Sequence, residues 1–256
     1  GGNSGQALAP LISAFLILPF GMYGASFVLI LTAIGIFMLT KIAIWYRKQL
    51  EEEKLSKVKK VLVSSLPPLT KKQVGIALSL LLVIIFARSF YVTNITNFYV
   101  FYLIQEYGLT IEKGQLLIFL FMACGVVGTF FGGSLSDRIG RKNVILLSVV
   151  VPIPLCLALP YVPLWLVVIL LIVIGSLIMI SFSVTVVYAQ ELVPTKIGTM
   201  AGLTVGLAFG MGAIGSVLIG ILMDKIGIET TMMIISALPI LMLVALALPR
   251  DQVAKG

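Results

Sequence analysis

Long apolar runs, broken by short polar or glycine-rich segments, dominate this chain. The runs are continuous over about 17 residues or more and lack the two-residue alternation of a half-buried strand. Eight of them read as helices. The first runs from about Gly5 to Leu18, the second from Ala25 to Tyr46, the third from Gln73 to Ile104 and the fourth from Glu112 to Gly132. The fifth runs from about Asn143 to Leu159, the sixth from Leu164 to Ala189, the seventh from Ile197 to Met223 and the eighth from Glu229 to Leu248. The third would be ~48 Å long against a hydrocarbon core of ~30 Å, so it must tilt, bend or protrude. Pro152 and Pro154 are expected to kink the fifth. Pro19-Phe-Gly21-Met-Tyr-Gly24 turns the chain between the first two. A polar linker over 47–72 separates the second from the third, with Glu51-Glu52-Glu53, Pro67-Pro68 and eight Lys or Arg.

Composition turns these helices into membrane spans. The chain is 60% hydrophobic and 11% charged, whereas soluble domains are about 45–50% apolar and 25% charged. Lipid removes the problem of exposed apolar surface, and helices satisfy their own backbone there. The net charge of +8 sits in short segments flanking the runs. With the linker in the cytoplasm, fifteen of the eighteen Lys and Arg fall on inner segments, and Lys113 and Lys225 on outer ones. That asymmetry sets orientation and puts both ends of this chain in the cytoplasm. Aromatic residues lie inside the apolar runs and not among the basic ones, which argues against nucleic acid as a partner. There is no histidine, which excludes histidine-dependent triads and histidine metal sites. Cys124 and Cys156 both lie within apolar runs and read as buried free thiols. No metal site and no enzymatic nucleophile is expected. The chain opens at Gly1, with no basic signal-peptide segment before its first apolar run, and looks cut at its start.

The densest polar motif is Gly133-Ser-Leu-Ser-Asp137-Arg138-Ile-Gly140-Arg141-Lys142, between the fourth and fifth runs. Part of it recurs as Gly220-x-x-x-Asp224-Lys225-x-Gly227, between the seventh and eighth. Helix parity puts the two copies on opposite faces, so helices three to five and six to eight read as an inverted repeat.

The first motif matches the G-x-L-x-D-R-x-G-R-K loop of the major facilitator superfamily, and the chain resembles that family. The resemblance implies twelve helices in two six-helix halves joined by a basic cytoplasmic linker. This chain then corresponds to helices five to twelve: 1–46 the last two helices of the first half, 47–72 the linker, and 73–256 the second half. Gly5-x-x-x-Ala9-Pro10-x-x-Ser13-Ala14 resembles a degenerate form of the helix-five motif of proton-coupled exporters. Within the superfamily the chain is most similar to bacterial fosmidomycin resistance proteins. Phe86-Ala-Arg88-Ser-Phe-Tyr91, Asn97 to Ile104, Tyr188 to Gly198 and Gly206 to Gly215 carry that similarity. It implies efflux of a small drug from the bacterial plasma membrane in exchange for protons, with no cofactor beyond the proton gradient. The four helices absent from this sequence would be needed for it. Two alternatives are a metabolite uptake symporter of the same fold and a non-transporting truncated membrane protein.

Three groups of residues carry candidate chemistry. Arg88 is the one charge deep in an apolar run. Near the bilayer centre it costs about 2.5–3.5 kcal/mol on insertion scales, so it should face protein or water. Arg88, Tyr91, Tyr99 and Tyr102 share an arc of roughly 80° on a regular helix, and Ser89, Thr93, Thr96 and Asn97 form an adjacent one. With Asn94, they read either as a substrate cavity or as an interhelical hydrogen-bond cluster. The loop residues Gly133, Asp137, Arg138, Gly140, Arg141 and Lys142 read either as helix caps and anchors or as a conformational latch. Glu191, at the end of the sixth helix, is the expected partner of Arg138 or Arg141, and Asp137 is expected to cap a helix start. Gly202, Gly206 and Gly210, spaced by four, read as a packing surface, as do Gly5 and Pro10. All ten Asp and Glu lie in loops, at helix ends or in the tail, so a proton-titrating carboxylate would have to come from the absent helices.

Overall fold

The structure, a computed structural model, describes residues 2–55 and 69–249. It is all-helical over the described residues. Six helices there are long and apolar enough to cross a membrane: Lys71–Asn97, Ile111–Ile139, Arg141–Tyr161, Leu164–Leu192, Pro194–Ile226 and Ile228–Ala247. Gly5–Gly21 is apolar but shorter.

The chain enters as α1 (Gly2–Ile12), which holds Pro10 and passes into a π-helical turn, Ser13–Ile17. Proline cannot donate its amide to the carbonyl one turn back, and the wider turn follows that gap. α2 (Leu18–Leu55) starts almost at once, and its one non-helical residue is Gly21 at φ 55°. That left-handed kink, open to glycine without strain, is what remains of the expected turn over 19–24. α2 then runs on to Leu55, through the first third of the segment read as linker; 56–68 lies outside the described residues. α1 packs on the fourth run, whereas α2 makes no substantial packing contact with the six spans. Leu29, Phe37 and Trp45 on α2 are exposed accordingly.

The third run bends where its length requires. α3 (Lys71–Asn97) opens with a capping box between Thr70 and Gln73. It stops at Phe98 (φ −119°), and α4 (Tyr99–Tyr107) continues to Gly108, a left-handed cap at φ 62°. α5 (Ile111–Ile139) follows, capped by Thr110. The fifth run breaks at its prolines, as expected, into α6 (Arg141–Val150), α7 (Pro152–Ala158) and a 3-10 turn at Leu159–Tyr161. α8 (Leu164–Leu192) and α9 (Ile197–Ile226) are long and regular. The last span is α10 (Ile228–Ala237) continued by a 3-10 helix, Leu238–Ala247. Pro239 removes one donor at its start; nothing else in the sequence accounts for its length.

The packing partners exchange between the two triplets. α5, second of its triplet, packs on α8, first of the other, and α9 packs on α3 in the same way. α6 packs on α8, and the closing 3-10 helix packs on α3. The two loop motifs match in detail as well. Gly140 (φ 91°, ψ 150°) and Gly227 (φ 81°, ψ 164°) each donate to the carbonyl four residues back, Ser136 and Met223, at 3.0 Å. Each then accepts, at 3.2 Å, the amide four residues on, from Val144 and Thr231. The exchanged partners and the matching turns follow the repeat, whereas the packing of α8 on α9 has no equal between α3 and α5.

Glycine sets the closest helix contact, and it is not on the helix expected. A Cβ on Gly128 would lie 2.1 Å from the Ser176 carbonyl oxygen, and one on Gly132 would lie 2.3 Å from that of Ile180. Gly175 presses on the Phe121 carbonyl from the other side. α5 and α8 are therefore in backbone contact. Gly5, Gly202, Gly206 and Gly210, read as packing positions, face open space, and no close contact among the described residues uses them. α9 meets α3 one face further round, at Gly212 and Gly215, beside Thr93 and the Phe90 ring.

Candidate functional site: a polar layer and its cavity

Two apolar cores fill the bundle, one toward each end. One takes Tyr91 to Leu103 on α3 and α4 with Val167 to Ile178 on α8; the other takes Ala77 to Ala87 on α3 with Val184 to Leu192 on α8. Arg88 and Ser181 fall in the gap between them. Arg88 is 3% exposed. Its Nη1 donates to Ser181 Oγ at 3.5 Å and to Thr185 Oγ1 at 3.4 Å. Its Cζ lies 5.0 Å from the Phe182 ring centroid, within cation–π range. Among the described residues it has no carboxylate partner. Nε and Nη2, the edge of the guanidinium that forks onto oxyanions, have no protein acceptor among them either.

Arg88 also lines a cavity of about 580 Å³ between α1, α3, α5, α8 and α9, a usual size for a small-molecule site. α3 contributes Arg88, Ser89, Thr93, Thr96 and Asn97, all expected from the sequence. Arg88 is the one charged residue on the described wall. Pro10, predicted as a packing residue, is on the wall too. Gln6 of α1, Ser13 of the π-helical turn, Gln115 of α5, Phe182 of α8 and Phe209 and Ser216 of α9 supply the rest of the polar and aromatic lining, and the sequence reading did not assign them to a cavity. Ser181 and Thr185 were also missed. Two hydroxyls one turn apart in the most apolar helix were the available signal.

Tyr91 and Asn94 do not line this cavity, which corrects their assignment. At 100° per residue they stand ~60° and ~120° from Arg88 on the side away from Ser89, Thr93 and Asn97. They point into the core instead. Tyr91 packs by Cys156, and Asn94 Nδ2 lies 3.3 Å from the Met232 sulfur. Tyr102 and Tyr107 tie α4 to the turn after α7, donating to the Pro160 and Val162 carbonyls at 3.0 Å and 2.7 Å. The tyrosine arc is thus a structural buttress, and Arg88 stands on its border with the polar arc.

At the far end of the bundle the loop motif divides its work. Arg141 pairs with Glu191 of α8, which is 3% exposed. Lys142 Nζ reaches the carbonyls of Leu246, at 3.0 Å, and Leu248, so it caps the closing 3-10 helix. Tyr188, one turn before Glu191, donates to the Pro249 carbonyl at 2.9 Å. Asp137 does not cap α6. It is exposed in the last turn of α5, and α6 starts from Gly140, which has no side chain to cap with. Arg138 is exposed beside it, and Gly133 faces open space. No cluster of metal-ligating side chains occurs among the described residues.

Six apolar spans around a cavity with one buried cation on its wall are the architecture of a membrane protein. The family model of the Major Facilitator Superfamily matches residues 1–205, and the chain belongs to that superfamily, a family of transporters and not of enzymes. It is a multi-pass membrane protein. It is 48% identical over 254 residues to an uncharacterized MFS-type transporter, YfnC, of Bacillus subtilis (strain 168), covering 98% of this chain and 61% of that protein. It is 38% identical over 252 residues to the fosmidomycin resistance protein of Escherichia coli (strain K12), again over 98% of this chain and 61% of the relative. The chain thus spans 61% of the length of both relatives.

Proposed function

We propose that the protein containing this chain is a secondary transporter of the bacterial plasma membrane, exporting a small oxyanion-bearing compound in exchange for protons by alternating access. The observation that carries this is Arg88: a buried cation at the cavity wall whose Nε and Nη2 have no acceptor, and which has no carboxylate beside it, among the described residues. A fixed, desolvated cation binds an anionic group strongly and rejects cations. Similarity to a fosmidomycin resistance protein supports outward transport of such a compound.

In this reading the chain supplies helices five to twelve of twelve. Residues 1–46 close the first half, 47–72 form the cytoplasmic linker, and 73–256 form the second half. Coverage of 61% of each relative is close to the two-thirds that eight of twelve helices require. The open glycine face of α9 and the exposed apolar surface of α2 then wait for the absent helices. Those helices also hold the proton-titrating carboxylate, and the basic linker keeps both ends of this chain cytoplasmic. Arg141 and Glu191 form a latch that is made in one access state and broken in the other.

Cells expressing the full-length protein test the role of Arg88. Arg88→Gln should lose resistance to an anionic phosphonate antibiotic at least tenfold, and Arg88→Lys should keep part of it, since lysine retains the charge but not the fork. Resistance unchanged in Arg88→Gln, at equal membrane abundance, overturns the assignment.

A further inference from the structure

Arg88 is gripped by two hydroxyls that stand behind the cavity wall. Its Nη1 donates to Ser181 Oγ and Thr185 Oγ1, one turn apart on α8. Both residues are fully buried. Arg88 and Phe182 are on the described wall, and Ser181 and Thr185 are not. Each hydroxyl has its own proton engaged elsewhere. Ser181 Oγ donates to the Ile178 carbonyl at 3.1 Å, and Thr185 Oγ1 donates to the Ser181 carbonyl. Such back-bonding is open to serine and threonine within a helix. It leaves lone pairs for Arg88, so both groups meet the cation as acceptors. Nη1 carries two N–H groups, and the two hydroxyls take both. Phe182, between them in sequence, has its ring centroid 5.0 Å from Cζ. This grip is neutral throughout. The carboxylate that α8 does carry, Glu191, pairs with Arg141 instead.

We infer that Ser181 and Thr185 are positioning residues for Arg88: as paired neutral acceptors they fix its guanidinium at the wall and leave its charge uncompensated. The inference rests on the anion reading of Arg88 and adds how that cation is held. Without the pair, Nη1 would be a buried donor with no acceptor, a costly state that the side chain escapes by turning elsewhere. The guanidinium would then have to be ordered again at each binding event, at a loss of affinity. A carboxylate in the same place would hold Arg88 as firmly and cancel the charge that an anion needs.

The test uses the purified full-length carrier with propylphosphonate as the probe. Dissociation constants come from ligand-dependent thermal stabilisation. Thr185→Val keeps the shape of the side chain and removes the acceptor, and Thr185→Ser keeps the acceptor. Thr185→Val should bind the probe about three- to tenfold more weakly than the wild type, the worth of one hydrogen bond to a charge in a membrane protein. Thr185→Ser should bind as the wild type does. The two variants should melt alike without ligand, which separates positioning from a general loosening of α8. Ser181→Asp should melt with the wild type and lose the probe, and Arg88→Gln should lose it too. Wild-type binding by Thr185→Val, or equal weakening in Thr185→Ser, overturns the positioning role, and loss of the probe in Arg88→Gln then leaves the anion reading standing. Wild-type binding by Ser181→Asp overturns the claim that the grip must be neutral. Retention of the probe by Arg88→Gln overturns the anion reading and the positioning role with it, as does a wild type that does not bind propylphosphonate.

Discussion

Gly128→Ala adds one methyl group at the tightest point of the α5–α8 seam. The new Cβ would stand 2.1 Å from the Ser176 carbonyl oxygen and 2.9 Å from its carbon, where ordinary contact begins at 3.4 Å. These are backbone atoms, so no rotamer change relieves the clash, and the helices must part locally by about 1.3 Å. That opening reaches neighbours. Thr129 Oγ1 donates across the seam to the Met179 carbonyl at 3.1 Å, and a bond stretched by that much is lost. Overpacking costs about 1–3 kcal/mol, and the lost bond adds about 0.6 kcal/mol inside a membrane. The helix-propensity gain of alanine over glycine returns about 0.5–1 kcal/mol. A net loss of about 1–3 kcal/mol follows. Gly75→Ala on α3 is the control: open space surrounds that position, so the propensity gain should stand alone. Thermal unfolding of both full-length variants in the same detergent, followed by tryptophan fluorescence, measures the contrast. Gly128→Ala should melt well below the wild type and Gly75→Ala at or above it. Equal melting of the two would refute the backbone-contact seam.

Two further outcomes concern the loop motif. Glu191→Lys sets like charges where Arg141 now pairs with a buried carboxylate, so transport by the full-length protein should fall at least tenfold with membrane insertion unchanged. Normal turnover in that variant would rule out the latch. Lys142→Ala removes the cap on the Leu246 and Leu248 carbonyls. Hydrogen exchange should quicken in the closing 3-10 helix, about tenfold for a loss near 1.4 kcal/mol, with α5 unaffected; unchanged exchange there would show the cap to be idle.

Apolar run length and glycine–proline punctuation made the spans legible, because lipid leaves the chain few choices. The loop motif and its repeat were legible for the same reason: Gly140 and Gly227 sit at positive φ where only glycine is unstrained. Within the site, the helical wheel separated Ser89, Thr93 and Asn97 from the tyrosines but could not say which arc met open space. Arg88 lies on the border of the two arcs, so grouping it with Tyr91 was as natural as grouping it with Ser89. Packing of α7 and α10 behind the tyrosines decided the matter, and that is a tertiary fact. The glycine seam shows a similar limit. Four-residue spacing on α9 and the three-and-four spacing of Gly125, Gly128 and Gly132 both permit close approach. Which is used depends on the helix that arrives, and α8 arrives at α5.

Transport by the reconstituted full-length protein tests the central claim most directly. Inside-out proteoliposomes holding wild-type or Arg88→Gln carrier receive an imposed pH gradient, acidic inside, and uptake of a radiolabelled phosphonate is followed. The account predicts gradient-driven accumulation by the wild type, its collapse when a protonophore dissipates the gradient, and no accumulation by Arg88→Gln. Accumulation that ignores the gradient, or that survives the loss of Arg88, would contradict it.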